Sequence, residues 1–293
     1  MISPLTNSRP QNMFAAFPSY FAPTNSLEAV RLLEQFNERA VILAGGTLTM
    51  PEINLGSSGR EAVISLDRLG LDQILIDDRT VRLGAMVRLV ELASARALIP
   101  LHKAVASIGG PAIRNMATVG GNICARHPYG DLATLLLALD AQLTFSTTRG
   151  TEVVDLAAFY AAEDRPRRGR LILSVQFQLP ASEEIVFRKL GRRCVNTPSI
   201  VTVAARVTRN SAGVVDRACV ALGGVGDNPV RSYAAEEALT GKTLDDESIG
   251  SAAQKAATGI APLTDSYASA WYRSRVIPIQ VRRALSELQA VAA

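Results

Sequence analysis

Cysteine is scarce. The 293 residues include three, Cys124, Cys194 and Cys219, widely separated and without a C-x-x-C. No four-thiolate set can be assembled, which argues against an iron–sulfur cluster held by this chain through the usual thiolates. Two histidines, His102 and His127, cannot build a His-rich metal site, so no metal ligand is expected. An odd number of scattered thiols suits a reducing compartment better than a disulfide framework. Aromatics make up 5% of the chain, which leaves little for stacking nucleic-acid bases, and no nucleic-acid partner is expected. Strong charge of one sign is also missing: 31 basic residues against 27 acidic give +4. The one dense cluster, Arg165-Pro166-Arg167-Arg168-Gly169-Arg170, reads either as a solvated loop or as a docking patch. Leu132 to Leu139, the longest strongly apolar stretch near the middle, is far too short to span a bilayer. Met1 to Ala16 lacks the basic start and apolar core of a secretory signal. No membrane insertion is expected, and the expected location is cytoplasmic.

What is present fits a globular chain: 48% hydrophobic and 20% charged residues, with length for two domains. Met1 to Gln11 is rich in Pro, Asn and Ser. Ser26 is placed to cap a helix over 27–36, with Leu27, Val30 and Leu33 on one face. Ala40 to Ala44 reads as a buried strand, followed by strands at 62–66 and 79–83. Helical spacing covers 87–97, closed before Pro100, and 101–108. Asn115 to Asn122 is small and Gly-rich and reads as loop. Asp131 stands as N-cap of a strongly apolar helix over 132–139. Strands are expected at 142–146, 150–154 and 171–179. A boundary near Pro180 to Glu184 divides the chain into domains over 10–180 and 184–290. The second opens with strands at 186–190, 200–208 and 217–222, with a turn at 210–213. Helices follow at 234–239, 247–257, 266–275 and 279–292. Strands first and helices afterwards is the α+β signature.

Two glycine-rich segments carry the chemistry. The first, Leu43-Ala44-Gly45-Gly46-Thr47-Leu48-Thr49-Met50, follows a strand; the second runs from Arg114 through Thr118, Gly120, Gly121 and Asn122 to Ile123. Glycine pairs admit positive φ and close ligand approach, and successive amides in such turns form a concave anion site suited to a pyrophosphate. Thr47, Thr49 and Thr118 add hydroxyls, and neither loop contains a carboxylate. Neither matches a P-loop, and neither is a G-x-G-x-x-G that opens a helix. Asp131 serves as a helix cap, as a ribose or ribityl contact, or as both.

These residues resemble a known pattern: Ala44-Gly45-Gly46-Thr47 after a strand, then Ile113-Arg114-Asn115-Met116-Ala117-Thr118-Val119-Gly120-Gly121-Asn122-Ile123, then Pro128-Tyr129-Gly130-Asp131 before an apolar helix. In order and spacing they are similar to the flavin subunit of the xanthine dehydrogenase, carbon monoxide dehydrogenase and aldehyde oxidoreductase group. The resemblance implies an FAD-binding domain of the vanillyl-alcohol-oxidase (PCMH) type, followed by a smaller C-terminal domain of antiparallel sheet plus helices. It assigns Leu43 to Met50 and Thr118, Gly120, Gly121 and Asn122 to the FAD diphosphate and adjoining groups. Ile108 and Gly109 line the same cleft, Asp131 faces the ribityl or adenosine side, and Ile172 lies near the flavin. Lys189 matches a basic position that reaches the cofactor, against a plainer reading as a surface lysine. Relatives often carry an acid where this chain has Arg170, and some place an aromatic where it has Asn196-Thr197-Pro198.

The implied role is electron transfer with no catalytic acid or base on this chain. A molybdopterin-binding large subunit hydroxylates an organic substrate, and a small subunit carries two-iron two-sulfur clusters. FAD on this chain passes electrons to an acceptor such as NAD, a quinone or oxygen, and the assembly is a dimer of heterotrimers. Two other readings stay open: a self-sufficient FAD-dependent oxidase or reductase of the same fold, and a non-enzymatic binding protein whose Gly-Gly segments are plain turns.

Overall fold

In the computed structural model, residues 19–55, 60–162, 169–193 and 196–291 are described, and three sheets follow one another along the chain. The first is small and parallel. It is built from β1 (Ser19–Phe21), α1 (Ser26–Phe36), β2 (Ala40–Leu43), α2 (Thr49–Asn54) and β3 (Ala62–Ser65), in strand order β1-β3-β2. Central β3 is wholly buried, while β2 is half-buried because it forms an edge. The cap of α1 is Asn25 rather than Ser26; its side chain accepts from the Glu28 amide at 2.9 Å. The helix buries Ala29, Val30 and Leu33, and Leu27 stays on the outside.

The second sheet is antiparallel. Its chain segment runs through β4 (Ile74–Asp77), β5 (Thr80–Gly84), α3 (Leu89–Ser94), α4 (Ile99–Ala106), α5 (Pro111–Met116), α6 (Val119–Cys124), α7 (Asp131–Ala138), β6 (Gln142–Thr147), β7 (Gly150–Asp155), α8 (Leu156–Ala161) and β8 (Arg170–Gln178). The strand order is β4-β5-β8-β6-β7. Pro100 opens α4 rather than closing the helix before it, as its fixed φ and missing N–H allow in a first turn. The segment 115–122, expected as loop, is the end of α5 and the start of α6. Pro111 starts the former, and the Thr118 hydroxyl caps the latter by accepting from the Gly121 amide at 3.1 Å. The cluster around Arg165 falls largely on 163–168, outside the described residues; Arg170 begins β8 and pairs with Glu152.

The third sheet holds β9 (Ile185–Gly191), β10 (Ser199–Arg209), β11 (Val215–Gly223) and β12 (Val230–Arg231), all antiparallel, and is followed by α9 (Tyr233–Leu239), α10 (Asp246–Lys255) and α11 (Ala270–Val291). Side chains alternate along β10: Val201, Val203, Ala205 and Val207 pack with the helices α9 to α11, while Ala204 turns to the other core. That other core is shared with the five-stranded sheet, and α7 lies inside it. All eight residues of α7 are buried, which explains its near-continuous apolar sequence. Asp131 is the first residue of α7 and not its cap; Gly130, at φ 96°, holds the cap position.

The two helices expected at 266–275 and 279–292 are one helix that starts at Ala270 and passes through Pro278. An interior proline costs about 3 kcal/mol. The buried stripe Arg273, Val276, Ile277, Gln280, Val281, Ala284, Leu285 and Leu288 runs unbroken past it, and tertiary burial outweighs that cost.

Candidate cofactor site

The edge strand β2 delivers the chain into the turn Ala44–Thr47. Gly46 adopts φ 70°, a conformation that favours glycine, and its carbonyl accepts from the Met50 amide at 2.9 Å to start α2. Gly45 is needed for closeness. A Cβ there would lie 1.9 Å from the Met116 carbonyl oxygen, so the first glycine segment rests directly on the last residue of α5. Among the described residues, the amides of Gly45, Gly46 and Thr47 meet no acceptor. They border a cleft of about 490 Å³ lined by Leu43, Ala44, Gly45, Gly46, Thr47, Met50 and Thr118 from the expected set. Leu48 and Thr49 sit beside it: Leu48 caps α2 with an exposed side chain, and the Thr49 hydroxyl approaches the Ile42 carbonyl at 3.5 Å. Ile113 and Met116 of the long motif, to which no binding role was given, complete the lining together with Asp67, Met86, Arg88 and Ala112, which were not singled out in sequence. Asp67 follows a buried strand and Arg88 follows Gly84 at a strand-to-helix turn, the only sequence signals that could have flagged them.

The second glycine segment is put together differently. The Val119 amide donates to Val87 at 2.9 Å, Gly120 to Ala85 at 2.8 Å, Gly121 to the Thr118 hydroxyl at 3.1 Å and Asn122 to the Thr118 carbonyl at 2.9 Å. A Cβ at Gly120 would come within 3.0 Å of Ala85. The Asn122 side chain is buried and accepts from the Ala133 amide at 3.2 Å, tying α6 to α7. The open amide turn expected here is thus a packed helix start, and Thr118 is the member of the segment that reaches the cleft.

Ile108 and Gly109 lie between α4 and α5. Their carbonyls accept from Arg114 at 3.0 and 2.9 Å, so the arginine of the long motif pins this connection. Beyond it lies a second cleft of about 440 Å³, lined by Lys103, Ser107, Phe187, Lys189, Leu190, Gly191, Arg192 and Arg193. Lys189 is not a surface lysine. Its ammonium donates to Asp131 at 2.7 Å and to the Ser107 carbonyl at 3.0 Å, with the side chain 11% exposed and that of Asp131 8%. The Ser199 hydroxyl donates to the other Asp131 oxygen at 2.5 Å. The acid at the start of α7 therefore binds β9 and β10 together. Ile172 is buried in β8 opposite Phe145 and lines neither cleft.

A second buried network secures the approach to α7. His127 and Asp265 meet at 2.5 Å, and Arg273, wholly buried, donates to Asp265 at 2.7 Å. Burial alone would raise the Asp265 carboxyl. Hydrogen bonds from His127, from the amides of Ala268 and Tyr267, and from Arg273 outweigh it and hold the group well below the usual carboxylate range. Among the described residues no group of three or more His, Cys, Asp or Glu is placed to hold a metal ion, and no helix is long and apolar enough to cross a membrane.

The sequence matches the family model for the FAD binding domain in molybdopterin dehydrogenase over residues 12–181, and that for the CO dehydrogenase flavoprotein C-terminal domain over 185–288. It is 32% identical over 282 residues to the 6-hydroxypseudooxynicotine dehydrogenase complex subunit alpha of Paenarthrobacter nicotinovorans, covering 92% of this chain and 94% of that one. Against the nicotinate dehydrogenase FAD-subunit of Eubacterium barkeri the identity is 31% over 242 residues, covering 78% and 82%. A solved structure of carbon monoxide dehydrogenase from Hydrogenophaga pseudoflava aligns with a TM-score of 0.86 at 27% identity, over 95% of this chain and 99% of that one. With the flavin-domain match extending over more than half of its length, and the flavoprotein C-terminal match following in order, the chain belongs to the FAD-binding family of the molybdopterin dehydrogenases and is an oxidoreductase flavin subunit.

Proposed function

We propose that this chain holds one FAD along the two clefts and carries electrons between partner-borne iron–sulfur clusters and an external acceptor. The observation that carries the reading is the first cleft, where Gly45, Gly46 and Thr47, whose amides have no acceptor among the described residues, line one space with Thr118 and Arg88. Such a cradle fits an anionic diphosphate: the donors are preformed, and no side chain need move to free them. When bound, FAD supplies the exchange between single-electron carriers and a two-electron acceptor.

The chain's own residues position and enclose. Leu43 to Met50 and Thr118 cradle the diphosphate, with Gly120, Gly121 and Asn122 fixing Thr118 from behind. Ile108 and Gly109, which line neither cleft, stand behind the site in the connection between α4 and α5, where Arg114 pins them. Asp131 holds Lys189 at the second cleft, where the ammonium serves the flavin or ribityl end; Ile172, which lines neither cleft, is given no direct contact. Residues 10–180 form the FAD-binding domain and 184–290 the flavoprotein C-terminal domain.

Partners are part of the reading. One relative is named as a subunit of a dehydrogenase complex and another as an FAD-subunit. With three cysteines in the whole chain, the clusters belong to a small two-iron two-sulfur subunit, and the substrate belongs to a large molybdopterin-binding subunit. The assembly is a dimer of heterotrimers in the cytoplasm. The test is the flavin content of the purified full chain. Denaturation is expected to release close to one FAD per chain, and a colourless protein that binds no added FAD would end the proposal. Native mass spectrometry of the complex checks the partners separately.

A further inference from the structure

The amides of the second glycine segment are engaged within the protein, so the diphosphate needs another source of positive charge. Asp67 and Arg88 are the ionisable side chains lining the first cleft. Asp67 is held by the Ser65 hydroxyl at 3.2 Å. Among the described residues the Arg88 side chain makes no ion pair or hydrogen bond; only its backbone is engaged, the amide donating to Glu91 at 2.7 Å and the carbonyl accepting from the Glu91 amide at 3.0 Å and the Leu92 amide at 3.4 Å. Its backbone is bridged to Thr118, so the residue is fixed across from the point where the second segment enters the cleft. Without Arg88 the lining would carry one net negative charge facing a ligand that is itself anionic.

We infer that Arg88 is a binding residue for the FAD diphosphate, its guanidinium taking the place of the amides that α6 keeps for itself. The inference rests on the reading of the first cleft as the diphosphate site. A guanidinium offers paired donors that match phosphate oxygens, and its charge strengthens each bond.

The test uses the full chain stripped of flavin, with binding followed by quenching of flavin fluorescence over a range of salt concentrations. Arg88→Gln is expected to weaken FAD binding about tenfold, in line with loss of one charge-assisted hydrogen-bonded contact. The salt dependence of FAD binding should become shallower. Riboflavin, which has no phosphate, should bind the variant and the parent alike, and Arg88→Lys should recover part of the loss. Arg82→Gln removes the same charge outside the cleft, where Arg82 donates to Gln176, and should leave FAD binding unchanged. Arg88→Gln binding FAD with the parent's affinity and salt dependence would overturn the role of Arg88 and leave the cleft reading intact. Equal losses for FAD and riboflavin would overturn it too, since the effect would then be one of shape. A parent chain that binds no FAD at all would overturn both.

Discussion

The two glycine-rich segments look alike in sequence and differ in what their backbones do. Around Gly45, beside the cleft, the amides have no acceptor among the described residues; around Gly120 every amide from Val119 to Asn122 is bonded within the protein. The difference comes from what stands behind each. The first segment leaves an edge strand and rests on the end of α5. The second lies against the Ala85–Val87 backbone and α7, and satisfying buried amides there takes precedence. Paired glycines thus mark close approach to protein backbone in both places, but the first pair keeps amides without a protein acceptor while the second has none left over.

That contrast can be broken or sharpened by substitution. The largest effect is expected from Asp131→Ala, which strands the Lys189 ammonium in a buried setting and should cost about 3–5 kcal/mol. Because α7 supports the second segment through Asn122, loosened hydrogen exchange should concentrate at 118–124 and spare 44–47. Gly45→Ala comes next. Its Cβ would collide with the Met116 carbonyl, and forcing the first segment off α5 should cost about 3 kcal/mol in chemical denaturation and release flavin even from the folded fraction. Gly120→Ala meets Ala85 at the tighter edge of normal contact and should cost about 1–2 kcal/mol, with flavin content falling only as the folded fraction falls. If Gly120→Ala strips flavin from a fully folded chain, the second segment binds directly and the contrast fails. Thr118→Ala removes the cap of α6 and should cost about 1 kcal/mol in melting experiments, with a modest loss of FAD affinity on top.

Much of this was readable in the residues. Alternating and β-branched runs located β3, β5, β6 and β8 to β11 within a residue or two, because strand formation there follows the period of burial. The long motif located the cleft region for the same reason: it is local. The misses share a cause in tertiary packing. Pro278 marked a helix end in sequence, yet the apolar stripe on either side of it holds one helix together. Asp131 looked like a cap because caps are local, and its partners, Lys189 and Ser199, are 58 and 68 residues away. For Arg88 the strand-to-helix turn after Gly84 was too weak a signal, because nothing in its neighbourhood shows that Asp67 and Thr118 border the same space.

The burial of α7 on every side has a consequence for dissection of the molecule. One flank of this helix is covered by β10 and β11, strands that enter the chain more than sixty residues later. Severing the backbone at 180–184 would leave that flank bare on the N-terminal fragment and the facing side of the sheet bare on the other. Each piece alone should be sticky and poorly soluble, while mixing the two during refolding should reassemble them by complementation, with the greasy helix as the mutual template.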